Sequence, residues 1–232
     1  MAKKTNAVEV LEIQSLRRQA MQVRLIGDTM LCTHQWSEKA KSEIRDKKAK
    51  KSKAGREACD ARAEWDAAFY RDDEGNAALP VIMLKKALIS AAHKDFGVTK
   101  GAVAQSVFVR GKSGGGYMTP IIGEPLPFEA PETEDAVRVG SGLSKSADLR
   151  YRPKWREWAI DVEIEFCPDI ISAEQLLFLL TKSGFGVGLA EGRPEKMSGL
   201  DWGRFHPDLD NVKIGEPQDI QESIRRAMGG AQ

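Results

Sequence analysis

The residues most suited to chemistry lie at 149–158, LRYRPKWREW, where Arg150, Arg152, Lys154 and Arg156 interleave with Tyr151, Trp155 and Trp158. Cations at this spacing can sit on phosphates while a ring lies under a base, which is how proteins hold single strands. Stacking contributes about 1–3 kcal/mol per base where it is used. The competing reading is burial, because Trp158 shares the phase of the strand that follows and Tyr151 can do the same. A second cationic stretch runs over residues 39–56, with nine Lys or Arg against one Glu and one Asp. Such a segment buries little, and it reads as a solvated helix giving way to unpacked chain. From it Lys47, Lys48, Lys50, Lys51 and Arg56 can reach phosphates, although a plain solvated face explains the charges equally well.

A third cluster combines glycine with charge. Gly184, Gly186, Gly188, Gly192, Gly199 and Gly203 share one stretch with Arg193, Lys196 and Arg204. Backbone without side chains at Gly186 and Gly188 can approach a ligand closely, and the surrounding charge is mostly positive. The glycines follow a helix instead of joining a strand to one, so this is neither a dinucleotide fingerprint nor a phosphate-binding Walker loop. A helix cap followed by a hairpin is the ordinary alternative.

Catalytic signals are sparse. Asp28 follows a strand and a glycine, where a turn-forming role is the simpler account. His34 stands beside Trp36 without a second histidine nearby in sequence to share proton transfer. Asp161, Glu163 and Glu165 fall on one strand face and read as exposed surface. Cys32, Cys59 and Cys167 have neither CxxC spacing nor paired histidines, so no disulfide framework, metal site or cofactor is expected.

The elements that must position these residues follow from periodicity. In residues 158–166 the apolar Trp158, Ile160, Val162, Ile164 and Phe166 alternate with polar neighbours, which predicts a half-buried strand. Ser172 with Gln175 three residues on is a capping box ahead of an apolar run, and a helix of about three turns is expected to end at Gly184. Residues 21–25 alternate as a strand ending at Gly27, and residues 8–13 read as a further strand. Ser37 is a candidate N-cap, residues 57–70 carry Trp65 and Phe69 at helical spacing, and residues 79–96 read as a buried helix starting near Pro80. Residues 104–110 read as a strand, GKSGGGY as a hairpin tip, 118–122 as an edge strand and 137–139 as a short strand. A short strand near Val212 and a helix over 219–228 close the chain.

Taken together, the strand, helix and GFGVGL…GLDWGRF loop resemble the C-terminal half of the ferredoxin-like domain of the RAMP superfamily, the backbone subunits of CRISPR effector complexes. The pieces VRLIGDTMLCTHQWSEKAK, LPVIMLKKALISAA and GVGLAEGRPE, in that order, resemble a group of uncharacterised bacteriophage proteins with the same plan. The resemblance spans about residues 22–205. It implies an α+β class, a ferredoxin-like (RRM-like) RAMP domain with a basic helical insertion and a β-hairpin excursion. On this plan residues 1–232 form a single domain, with the insertion at 37–78, a thumb-like excursion at 97–148 and a C-terminal tail at 206–232. The family's basic helix run matches residues 80–90, with Lys85 and Lys86 in its basic slots, but the family glycine is missing and a neutral residue replaces its arginine. Some family members cleave RNA with an acidic residue in a loop comparable to that of Asp28.

Composition bounds the outcome. The chain has 232 residues, 41% of them apolar, enough for a real core, and a net charge of +1. Any nucleic-acid contact must therefore come from a local patch. No apolar run approaches the ~20 residues of a membrane span and the first residues lack a signal h-region, so the expectation is a cytoplasmic protein of a bacterial host cell with no membrane partner. The expected function is non-enzymatic binding of single-stranded DNA or RNA by a homo-oligomer. The expected contacts are Lys47, Lys48, Lys50, Lys51, Arg56, Arg150, Arg152, Lys154, Trp155, Gly186, Gly188, Arg193, Lys196 and Arg204. Two alternatives stand beside it: an endoribonuclease of the RAMP type, and an anti-defence or assembly protein that docks on a CRISPR-type protein complex.

Overall fold

The structure is a computed structural model that describes residues 16–35, 42, 60–94, 97–139, 146–196 and 199–220. Lys47, Lys48, Lys50, Lys51 and Arg56 lie outside the described residues, as do the strand expected at 8–13, the Ser37 cap and nearly all of the helix at 219–228. The class is mixed α+β, built on an antiparallel sheet.

Two long alternating strands form its centre. β1 (Arg17–Gly27) and β9 (Ala159–Phe166) pair antiparallel from Gln19↔Phe166 to Ile26↔Ala159. That register places Met21, Val23 and Leu25 on the same face as Ile160, Val162 and Ile164, and all six are buried. A one-residue slip would turn every one of them to water, so the apolar alternation itself sets the register. The short strand β4 (Val107–Arg110) pairs with β9 and buries Val107 and Val109. On the other side β10 (Phe205–Pro207) pairs with β1, giving the order β10-β1-β9-β4. β11 (Lys213–Ile214) and β12 (Gln218–Asp219) continue along the β1 edge. The stretch expected as a tail thus begins inside a sheet strand.

Four α-helices occur among the described residues: α1 (Ala61–Ala67), α2 (Ile82–Ala91), α3 (Lys100–Ser106) and α4 (Ala173–Gly186). α2 buries Leu84, Ala87, Leu88 and Ala91, and α4 buries Leu176, Leu179 and Leu180, all in one core with the sheet's apolar face. The capping box is present: Gln175 N–H donates to Ser172 Oγ at 3.2 Å and Ser172 N–H donates to Gln175 Oε1 at 2.9 Å. Such a cap contributes about 1 kcal/mol. α4 runs past the expected end, through Gly184 to Gly186. Gly184 serves packing here, because a Cβ on it would stand 1.8 Å from the Phe205 carbonyl oxygen.

Two expectations need correction. Pro80 lies in β3 (Ala78–Pro80), which pairs with β5 (Met118–Pro120), so α2 starts two residues later. The strand expected at 104–110 is helical in its first half, because Thr99 accepts the Ala102 N–H at 3.1 Å and opens α3.

Beyond the main layer, β6 (Glu134–Val139) and β7 (Ser146–Tyr151) form a separate hairpin, while β2 (Leu31–Cys32) pairs with β8 (Lys154–Trp155). Rings join α1 to this hairpin. Trp65 meets Phe69 at 4.8 Å and Phe128 at 6.0 Å, Phe69 meets Trp155 at 5.7 Å, and Phe128 meets Tyr151 at 6.1 Å. The Trp65 and Phe69 rings pack there, as their helical spacing suggested.

Candidate functional site

Most of the strand contacts expected at 149–158 are withdrawn from the surface. Arg152, Lys154 and Trp155 are buried, Trp155 and Lys154 almost completely. Asp135 accepts from both cations: Arg152 Nε at 2.9 Å and Lys154 Nζ at 2.7 Å. Lys154 also donates to the Glu132 carbonyl and lies 4.3 Å from the Trp202 ring centroid. A buried charge persists only when paired and hydrogen-bonded, and Asp135 meets that requirement. These three residues fasten the β6–β7 hairpin to the body and present nothing to a strand on the surface. Arg150 stays half-exposed, 3.9 Å from Asp148. Arg156 is spent on Glu132.

The glycine loop is also largely occupied with itself. A Cβ on Gly188 would touch Arg193 Cβ at 3.0 Å, one on Gly192 would meet the Trp202 ring at 2.5 Å, and one on Gly203 would meet the Leu189 carbonyl oxygen at 2.0 Å. The loop is zipped to the segment after β1 by Gly203 N–H to Met30 C=O at 2.7 Å, Asp28 N–H to Arg204 C=O at 2.9 Å and Glu191 N–H to Cys32 C=O at 3.0 Å. Gly188 therefore serves the loop's own packing, whereas Gly186 is open, with nothing within 4 Å of its Cβ position. Lys196 is paired with Glu191 at 2.6 Å. Arg204 covers the Phe185 ring, 4.7 Å from its centroid, and that ring is 70% exposed.

What the fold does bring together is a cleft of about 310 Å³ between α2, the start of α3 and the turn after α4, lined by Lys86, Ile89, Ser90, Lys100, Arg193 and Glu195. Three cations from three separate chain segments share its lining with one carboxylate, and Arg193 is the one paired with it. Arg193 donates through Nε to Glu195 Oε2 at 3.2 Å and through Nη1 to the Ala190 carbonyl at 2.9 Å. The Ser90 hydroxyl donates to Glu195 Oε1, and this bond, with Arg193 and Lys100 behind it, holds the carboxyl below its ordinary range. The adjacent lysines of the 80–90 run divide. Lys86 faces the cleft, whereas Lys85 turns inward to the Val103 and Ala104 carbonyls at 2.7 and 3.0 Å, capping α3, and its burial lowers its pKa.

The outer sheet face offers a strand much less. Asp161, Glu163 and Glu165 line its central strand, as their alternation suggested. Arg24 and Lys112 both bind Asp161, at 2.7 Å each, and Gln22 binds Glu163 at 3.1 Å.

Asp28 and His34 are not brought together. His34 is half-buried with Nδ1 lacking a partner among the described residues, and burial lowers its pKa, with Arg150 and Arg152 adding to the effect. Asp28 meets His206 instead, Nδ1 to Oδ1 at 2.6 Å. β10 places that histidine opposite Ile26, two residues before Asp28, a juxtaposition across 178 residues that only strand pairing reveals. Among the described residues no group of three His, Cys, Asp or Glu is gathered to hold a metal ion, and no helix is long and apolar enough to cross a membrane.

No protein-family model matches the chain, and no curated protein is significantly similar to it.

Proposed function

We propose that this chain is a ferredoxin-like, RAMP-type strand-holding protein of bacteriophage origin that binds single-stranded DNA or RNA without cleaving it, as a repeating oligomer. The order β10-β1-β9-β4, with helices in the β1-to-β4 and β9-to-β10 connections, supports the ferredoxin-like part of this reading. The observation that carries the function is the cleft in which Lys86, Lys100 and Arg193 converge beside Ser90. Phosphate contacts supply most of the affinity for a strand, and here they come from a local patch on a chain of net charge +1. On the outer sheet face Asp161 is already occupied with Arg24 and Lys112, whereas Lys86 and Lys100 line the cleft beside Arg193, so the bound strand runs on the helix side, past Lys86 and Lys100 to the Arg193 turn. Lys47, Lys48, Lys50, Lys51 and Arg56 add phosphate contacts, and Phe185 with Arg204 offers a ring beside the open Gly186.

Fluorescence anisotropy with labelled single-stranded DNA, single-stranded RNA and duplex DNA tests the reading. Micromolar or tighter binding of a single strand, weaker for duplex and weakened further by Lys100→Glu, is the expected result. Binding of none of the three at low salt would sink it and direct attention to docking on a CRISPR-type complex, where co-elution is the test.

A second reading is favoured by one contact. Asp28 orients His206 through Nδ1 and leaves Nε2 for proton transfer, the arrangement an endoribonuclease would use. Product bands on labelled RNA that vanish in His206→Ala and Asp28→Ala would establish it.

A further inference from the structure

We propose that the cleft between α2, α3 and the turn after α4 is built for a phosphomonoester dianion, so that the protein grips a phosphorylated strand end. This rests on the strand-holding reading and adds which part of the strand the cleft selects. Lys86, Lys100 and Arg193 bring three positive charges against the single carboxylate of Glu195, a surplus of two. A phosphodiester within a strand carries one negative charge. A terminal phosphate carries close to two at neutral pH, with three strong acceptor oxygens.

The donors are available in number. Arg193 has five N–H donors, of which one on Nε goes to Glu195 and one on Nη1 to the Ala190 carbonyl, leaving three for oxygens in the cleft. Arg193 is also held in place. Ala190 is the only non-glycine residue with positive φ among the described residues, at 57°, and its carbonyl is the one that anchors the guanidinium. A left-handed alanine costs on the order of 1 kcal/mol, and such strain is retained where it aims a functional group. Gly188, at φ 73°, lets the same turn close against Arg193 and Pro194. Glu195, bonded to Ser90 on α2, ties this turn to the helix that carries Lys86.

The experiment compares one oligonucleotide in three forms, 5′-phosphorylated, 3′-phosphorylated and hydroxyl-ended, by anisotropy. Calorimetric titrations with a nucleoside 5′-monophosphate and with inorganic phosphate run beside it, on the wild type, Lys100→Ala and Arg193→Ala. Lys100 is exposed, so its loss is expected to leave the fold intact and guards against a folding defect in Arg193→Ala. One phosphorylated form is expected to bind about tenfold more tightly than the hydroxyl-ended strand, with the gap erased in both variants. Equal affinity for the three forms would overturn the inference while leaving strand holding intact. Binding of the monophosphate or phosphate with no strand binding would keep the cleft's assignment and remove the strand-holding reading. No binding by strand, monophosphate or phosphate would remove both.

Discussion

Replacing Asp135 with alanine separates a structural Lys154 from a strand-binding one. Asp135 is the counter-charge for Arg152 and Lys154, whose side chains are 8% and 2% exposed. Removing it leaves two buried cations unpaired, and breaking a buried pair this way costs about 3–5 kcal/mol. With a urea dependence of about 2 kcal/mol/M, a loss of about 4 kcal/mol lowers the unfolding midpoint by about 2 M. Lys154→Met keeps the apolar stem and leaves Asp135 with Arg152. It loses the hydrogen bonds to Asp135 and the Glu132 carbonyl, so its cost is smaller, about 1–3 kcal/mol. The double variant Asp135→Ala/Lys154→Met should be more stable than Asp135→Ala alone, because one orphaned charge has been removed. Urea denaturation followed by circular dichroism reads all three. Unchanged stability in Asp135→Ala, or Lys154→Met that abolishes strand binding while keeping full stability, would refute the structural assignment.

Other outcomes follow from the same packing. Gly203→Ala places a Cβ 2.0 Å from the Leu189 carbonyl at φ 68° and should cost about 2 kcal/mol or more, read as a lowered thermal midpoint. Hydrogen bonds from Arg24, with Lys112 behind them, hold the Asp161 carboxyl at about 2 against an ordinary 3.8. The folded value is depressed, so this stabilisation is present above pH 3.8 and is lost as pH falls through about 2. Asp161→Asn should therefore be less stable than the wild type at pH 7, with the gap closing between about pH 4 and pH 2. Burial pushes the Cys32 thiol up to about 12, so a thiol reagent followed by peptide mass spectrometry should modify Cys32 only after unfolding.

The two central strands and the capped helix could be read in advance because their signals are local. Alternation in β1 and β9 and the Ser172–Gln175 box need no knowledge of distant chain. α3 was harder. Val107 and Val109 suggest a strand over 104–110, and only Thr99 at the N-cap marks the helix that takes its first half. The misread basic stretch shows the same limit for charge. Arg152 and Lys154 among aromatic residues have the composition of a nucleic-acid surface, and what pairs them in the interior is Asp135, 17 and 19 residues away in β6. Nothing local to residues 134–139 marks one carboxylate as the partner of two core cations. Arg193 was legible as a cation in a glycine loop. Its meeting with Lys86 and Lys100, like that of Asp28 with His206, exists only once the sheet and helices are assembled.

The most direct test of strand holding at the α2–α3 cleft is the salt dependence of single-strand affinity. Each phosphate contact contributes a slope of about −0.7 in log affinity against log salt for a single strand. The triple variant Lys86→Ala/Lys100→Ala/Arg193→Ala should bind more weakly with a slope flatter by about 2, while Lys112→Ala on the sheet face leaves affinity and slope unchanged. A triple variant with wild-type affinity and slope would contradict the account and place the strand elsewhere on the molecule.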